Sequence, residues 1–112
     1  MGIKHVNGKP ILDEASSTLL SGATATTTGT WKPVHGIFPL VVSVEGTFVA
    51  TVQVRVSNKI SIPADSDNAR PQLGSDLDAP GQVLIDAPQR WVKVVVTAFT
   101  SGSVEAYAYA GG

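Results

Sequence analysis

Apolar and polar residues alternate with a period of two in the middle of this chain. In FPLVVSV (residues 38–44) one face carries Phe38, Leu40, Val42 and Val44. In FVATVQVRV (residues 48–56) one face carries Phe48, Ala50, Val52, Val54 and Val56. Successive side chains of a strand point to opposite faces, so both stretches are predicted to be strands with one buried face. The Glu45-Gly46 pair between them predicts a tight hairpin turn.

The same alternation returns near the C-terminus. GQVLIDAP places Val83 and Ile85 inward, and the next stretch places one apolar set inward, namely Val92, Val94, Val96 and Ala98. After the turn TSGS, the inward set is Val104, Ala106, Ala108 and Ala110, and Glu105, Tyr107 and Tyr109 face outward. These strands are predicted to form a closing hairpin.

Between residues 57 and 80 the alternation stops. Three prolines, Pro63, Pro71 and Pro80, disfavour a central strand here, and four aspartates favour turns. We predict a long polar loop at 57–80, with a short edge strand at 59–62.

The N-terminal part has few apolar residues. SGATATTTGTW is Thr-rich and predicts an extended segment that pairs as an edge strand or lies on a neighbouring molecule. The first sixteen residues have only scattered apolar side chains and are predicted to form an arm. We therefore divide the chain into an N-terminal arm and edge segment (1–30) and a β-sandwich domain (31–112). Six or seven strands predict an all-β, antiparallel two-sheet β-sandwich, immunoglobulin-like or jelly-roll-like, with an extended N-terminal arm.

Composition narrows the partner classes. The chain has 112 residues, which is the size of one domain, and its formal net charge is −1 with 15% charged residues. This balance gives no electrostatic signature for nucleic acid or an anionic membrane, so we expect neither as a partner. There is no cysteine, and we expect no signal peptide or membrane span, since the longest apolar runs are short.

Few residues are candidates for chemistry. His5 and His35 are the only histidines, and the pattern places no nucleophile or carboxylate beside them. Asp65, Asp67, Asp76 and Asp78 could gather around calcium, but they lack the spacing, glycine and terminal glutamate of an EF-hand loop. We interpret them as a polar loop and leave cation binding open. No residue is assigned to catalysis, a cofactor or a metal.

Aromatic and arm residues are the candidates for an interface. Trp31 and Trp91 could cap the sandwich or contact a partner, because interfaces are enriched in Trp. Tyr107 and Tyr109 share an outward face, where they could pair across strands or meet a partner. The apolar residues of the arm complete the candidate set, which adds Ile3, Val6, Ile11 and Leu12.

Two segments carry a family resemblance. VEGTFVATVQVRVS and APGQVLIDAPQRWVKVVVTAFTSGSVEAYAY resemble a small β domain of tailed-bacteriophage virion proteins. The shared motifs are a Gly-Thr-Phe-Val hairpin, an Ala-Pro-Gly turn, an Arg-Trp strand and a final TSG hairpin, and they cover about residues 40–110. The sequence departs from this pattern in its longer polar loop.

The resemblance implies a non-enzymatic virion structural protein without a cofactor. The leading expectation is a head decoration or cement protein that bridges major capsid subunits as a homo-oligomer, a trimer or dimer, after assembly in the host cytoplasm. The alternative is a tail, neck or fibre component that binds other virion proteins or host glycans. An enzyme, such as a small glycosidase or lyase, would need a cleft with convergent titratable groups.

Overall fold

Ten strands make up the regular structure of the described residues. The computed structural model describes residues 17–67 and 70–110 with their side chains, and residues 3–6 and 9–12 as backbone strands. The strands are β1 (Ile3–Val6), β2 (Lys9–Leu12), β3 (Thr18–Ala23), β4 (Lys32–Pro33), β5 (Leu40–Glu45), β6 (Phe48–Ser57), β7 (Gln72–Leu77), β8 (Gly81–Ile85), β9 (Trp91–Gly102) and β10 (Val104–Ala110).

Eight of these strands form two antiparallel sheets. Sheet 1 has the strand order β3-β10-β5-β8, and sheet 2 has the order β4-β9-β6-β7. The hydrophobic core lies between them, and β1 and β2 pair separately as a small hairpin. The predicted all-β, two-sheet sandwich is thus confirmed.

The connections identify the type of sandwich. Along the chain, consecutive strands from β3 to β10 alternate between the two sheets, except that β6 and β7 are neighbours in sheet 2. This is the connectivity of an eight-stranded jelly roll. Of the two sandwich types considered, the topology therefore selects the jelly roll.

Both predicted tight hairpins are wrong. β5 and β6 lie in different sheets, and so do β9 and β10, which means that each short turn carries the chain across the core. β5 pairs instead with β10, and β6 pairs with β9. The alternating pattern requires only that each strand bury one face, and packing across the core satisfies it as well as pairing does.

These two turns form a corner at one end of the sandwich. The crossover corner consists of Gly46–Thr47 and Gly102–Ser103, and the Ser103 amide donates to the Thr47 carbonyl at 2.9 Å. Gly46 and Gly102 have φ values of +106° and +94°. A Cβ on Gly102 would lie 2.1 Å from the Thr47 carbonyl oxygen, so only glycine fits there.

The predicted inward faces are largely correct. The alternating apolar set of β6 is buried from Phe48 to Val56, and Val104, Ala106 and Ala108 are buried in β10. In β8, Ile85 is buried and Val83 packs against the core. Strands with this alternation gain stability from one apolar face, which explains why period two was sufficient to place them.

Two residues predicted to face the core do not. Phe38 is exposed, because β5 begins only at Leu40, after Pro39, and the alternation does not extend to Phe38. Ala98 is also exposed. Val96 pairs with Val52 and Ala98 with Thr51, so Thr97 is an extra residue in β9. This β-bulge turns Ala98 outward.

The sandwich begins upstream of the boundary at residue 31. Leu19 and Leu20 of β3 are buried, and β3 pairs with β10 at the edge of sheet 1. The Thr-rich stretch that follows makes one bridge, in which Thr27 and Val96 exchange backbone hydrogen bonds of 3.1 and 3.0 Å. The predicted edge strand is therefore shifted toward the N-terminus.

The segment predicted to be a loop at 57–80 contains a strand. β7 pairs with β6 at the edge of sheet 2, and residues 59–62, where we predicted an edge strand, are not in a strand. Of the residues of β7, only Leu73 and Leu77 pack against the core. Its sequence therefore lacks the alternation of apolar and polar residues that identifies the other strands. Residues 58–67, which we call the covering loop, lie over the outer face of sheet 2.

Candidate interaction surfaces

The outer face of sheet 1 carries a row of apolar side chains. Tyr109 of β10 pairs with Val41 of β5, and Val41 pairs with Leu84 of β8. Tyr109 is 75% exposed and Leu84 is 57% exposed, while Val41 is half-buried. These three residues, which we call the outer row, are direct cross-strand neighbours and form one continuous strip.

The opposite end of the same face is acidic. Glu45 and Glu105 face each other across β5 and β10. The Ser43 hydroxyl donates to the Glu45 carboxylate at 2.8 Å, and the Tyr107 hydroxyl donates to the Glu105 carboxylate. The hydrogen bond to Glu105 raises the pKa of Tyr107. Like charges placed opposite each other are unfavourable, so this end favours a basic partner group.

The outward direction predicted for the two tyrosines is confirmed. Tyr109 is exposed and Tyr107 is half-buried, while the alanines between them face the core. Their neighbours Val41 and Leu84 were missed. They join Tyr109 only through the pairing of β10, β5 and β8, which no local pattern in the sequence specifies.

Trp31 lies under the covering loop and not at a free surface. Its side chain is 1% exposed, and its indole N–H donates to the Ala64 carbonyl at 3.1 Å. Its backbone amide donates to the Asp65 carboxylate at 3.2 Å. Trp31, a predicted interface candidate, therefore packs within the domain.

Lys93 is buried beside Trp31. Its ammonium group donates to the Asp65 carbonyl at 2.8 Å and lies 4.9 Å from the centroid of the Trp31 ring. Loss of solvation lowers the pKa of Lys93, and the charges of Asp65 and Asp67 oppose that shift. The predicted inward face of this strand, with Val92 and Val94, leaves Lys93 on the outer face, but no sequence signal showed that a loop covers this face.

We expect the burial of Lys93 to make stability depend on pH. Between its lowered pKa and 10.5, the unfolded chain holds a proton that the folded chain has released. The free energy of unfolding should therefore rise with pH across this window, and Lys93→Met should remove that rise. Urea denaturation of both proteins from about pH 8 to about pH 10.5 measures the two slopes.

Tyr107 requires a matched background in this experiment. Its pKa is raised above 10.0, so the folded chain keeps its proton longer and the free energy of unfolding falls as pH rises through that region. Comparing the two proteins in a Tyr107→Phe background removes this opposing contribution. Equal slopes with and without Lys93 would contradict the assignment.

The aspartates that were considered as calcium ligands do not come together at one site. Asp67 forms an ion pair with Arg70 at 2.9 Å, and Asp76 accepts hydrogen bonds from Gln72 and Gln53 at 2.8 and 3.0 Å. These two hydrogen bonds lower the pKa of Asp76. Within residues 17–67 and 70–110, no group of three or more metal-binding side chains is positioned to hold an ion.

An open cleft of about 470 Å³ lies at the end of the sandwich away from the crossover corner. This end cleft is lined by Pro33, His35, Gly36, Asn58, Pro88, Gln89, Arg90 and Trp91. Trp91 is half-buried, and its indole N–H donates to the Lys59 carbonyl at 2.8 Å. Trp91, one of the predicted interface residues, thus has its ring held in a cleft, and His35 lies on the same cleft.

The arm candidates lie in the β1–β2 hairpin. Ile3 pairs with Leu12, Ile11 pairs with Lys4, and Val6 pairs with Lys9. The hairpin contacts the sandwich through β2, which lies near β10. The side chains of Ile3, Val6, Ile11 and Leu12, like that of His5, lie outside the described residues.

Comparison with known protein families, curated proteins and solved structures finds no match for this chain. Among the described residues, no helix combines the length and apolar character needed to cross a membrane.

Proposed function

We propose that this chain is a non-enzymatic structural protein of a tailed-bacteriophage virion, a head decoration protein that attaches to major capsid subunits. The observation that carries the attachment role is the outer row, Tyr109, Val41 and Leu84, on the face of sheet 1 that points away from the core. The virion setting is supported by the resemblance of residues 44–57 and 79–109 to the small β domain of virion proteins.

The outer row differs from scattered surface hydrophobics. Single exposed apolar residues are common and need no explanation, whereas a contiguous strip marks an interaction surface. Here the strip runs across three hydrogen-bonded strands, so its geometry is fixed before a partner arrives. Ile60 and Ile62 are also exposed, but they lie on the covering loop and not on a paired strand.

The charges on the same face define the partner further. Glu45 and Glu105 place two carboxylates at the opposite end of this face from the outer row, so a matching capsid surface would present apolar residues at one end and lysine or arginine at the other. Attachment should then weaken as salt is added, because exposed charge pairs are screened. A trimer or dimer would strengthen such contacts by raising the effective concentration of neighbouring sites.

We expect Tyr109→Ser and Leu84→Ser to weaken particle attachment while the domain stays folded. Each change removes an exposed apolar contact, and the loss of a central interface residue costs about tenfold or more in affinity. Co-sedimentation with particles stripped of this protein measures attachment, and thermal melting measures folding. Val49→Ser is the control, since Val49 is 59% exposed on the outer face of sheet 2.

Equal attachment of all three variants would reject the outer row as the attachment surface. The place in the particle is tested separately by counting copies in purified virions by quantitative mass spectrometry. A number that matches the capsid lattice supports decoration of the head. A small ring-like number would instead place the protein in the tail or neck.

A further inference from the structure

We infer that the end cleft binds a sugar ring that carries a carboxylate group. A volume of about 470 Å³ falls in the range of small-molecule sites. The lining combines the indole ring of Trp91 with side chains that donate and accept hydrogen bonds. This inference does not rest on the proposed attachment role, because the outer row is not part of the cleft.

Trp91 provides a flat apolar platform. Its indole N–H is already bonded to the Lys59 carbonyl at 2.8 Å, so the ring is held in place and its polar atom is occupied. The ring is half-buried, which leaves part of its apolar surface accessible. The C–H face of a pyranose is apolar as well, and stacking it on an indole removes both surfaces from water.

The polar side chains that line the cleft are suited to the hydroxyl groups around a sugar ring. Hydroxyl groups both donate and accept hydrogen bonds, and the side-chain amides of Asn58 and Gln89 also do both. The Oδ1 atom of Asn58 accepts the Arg90 backbone amide at 2.8 Å, which orients the amide group at the cleft. Two amides that line the same cleft as the Trp91 ring favour a polyhydroxylated ring over a purely apolar ligand.

Arg90 selects for a negative charge. Its guanidinium is permanently charged, and no Asp or Glu is among the described residues that line the cleft. An exposed arginine without a competing carboxylate can bind a ligand carboxylate through two parallel hydrogen bonds. A uronic acid or another carboxylated sugar supplies this group together with the ring and its hydroxyls.

Backbone hydrogen bonds hold the walls of the cleft together. The Val34 amide donates to the Arg90 carbonyl at 2.9 Å, and the Gly36 amide donates to the Gln89 carbonyl at 2.7 Å. Between them, His35 has a φ of +53°, an uncommon value for a residue with a Cβ. These bonds tie the turn before β5 to the start of β9, so ligand binding requires little ordering of the chain.

The test is an NMR titration of the ¹⁵N-labelled full chain. The probes are α-1,4-linked trigalacturonic acid and, for comparison, neutral α-1,4-linked trigalactose. We expect the acidic probe to shift the Trp91 indole N–H and the amides of residues 89–92, and to bind about fivefold or more tightly than the neutral probe. Arg90→Gln should remove this difference, while Trp91→Ala should abolish binding of both probes.

Several outcomes would overturn the inference. They are the lack of any shift up to about 10 mM acidic probe, shifts located away from the cleft, or equal affinity for the two probes. Trp91→Ala also removes a hydrogen bond to Lys59, so Arg90→Gln, which changes only an exposed side chain, decides the result if the Trp91 variant unfolds. Tyr109→Ser should bind the acidic probe normally, which separates this site from the attachment surface.

Discussion

Val94→Asp is expected to abolish stable folding, whereas Ala98→Asp, further along the same strand, is expected to be tolerated. Val94 is fully buried and pairs with Val54 in the centre of sheet 2. A carboxylate there would lose its hydration without gaining a partner, at a cost of about 3 kcal/mol or more. That is a large part of the roughly 5 to 15 kcal/mol that stabilises a small domain.

Ala98 makes the comparison informative because simple alternation assigns it to the same face as Val94. The bulge at Thr97 turns it outward, where a carboxylate stays hydrated. Circular dichroism and urea denaturation of both variants measure the effect. A loss of structure in Ala98→Asp as severe as in Val94→Asp would show that β9 continues without the bulge.

Positions and faces of most strands could be predicted because the signal for them is local. β6 and β10 each place apolar residues at every second position, and burial of that face is required in any sandwich. The same reasoning failed at β7, where Leu73 and Leu77 are the only residues packed on the core. An edge strand that buries little leaves little pattern in its sequence.

Strand pairing could not be predicted from the same pattern. The turns at Gly46 and Gly102 have the short, glycine-containing form of hairpin turns, yet they connect different sheets. Hairpin pairing and a crossing of the core bury the same side chains in strands of this length. The choice between them depends on contacts between distant strands, such as β5 with β10, which local periodicity does not report.

The candidate surfaces, too, could be predicted only as far as local alternation reaches. Alternation correctly turned Tyr109 outward, but its neighbours Val41 and Leu84 became visible only through the pairing of three strands. The surroundings of Trp31 and Lys93 could not be predicted for a related reason. Their surroundings come from the covering loop, whose path over sheet 2 is set by tertiary hydrogen bonds to Ala64 and Asp65 and not by any repeating pattern.

Gly102→Ala is expected to destabilise the domain by about 3 kcal/mol or more, through strain and a steric clash at the crossover corner. The residue has a φ of +94°, which a side chain makes unfavourable. Its Cβ would also lie 2.1 Å from the Thr47 carbonyl oxygen and 2.6 Å from the Phe48 Cα. Thr47 belongs to the neighbouring crossover and Phe48 is the first residue of β6, so neither backbone atom can move without opening the corner.

Gly81→Ala is the matched control, because no positive φ is found at Gly81 and a Cβ there would lie 3.4 Å from the Leu77 Cδ2 atom and 3.9 Å from the Ala79 carbonyl oxygen, without a clash. It should change the free energy of unfolding by less than about 1 kcal/mol.

Gly46→Ala strains the other half of the corner, with a Cβ 2.4 Å from the Ser103 carbonyl oxygen. Since the two crossovers contact each other, opening the corner for one alanine should make room for the second, and the double variant should lose less than the sum of the single losses. Urea denaturation followed by tryptophan fluorescence measures all four proteins. A Gly102→Ala variant as stable as Gly81→Ala would mean that the two crossovers do not pack against each other, and strictly additive losses would mean that they respond independently.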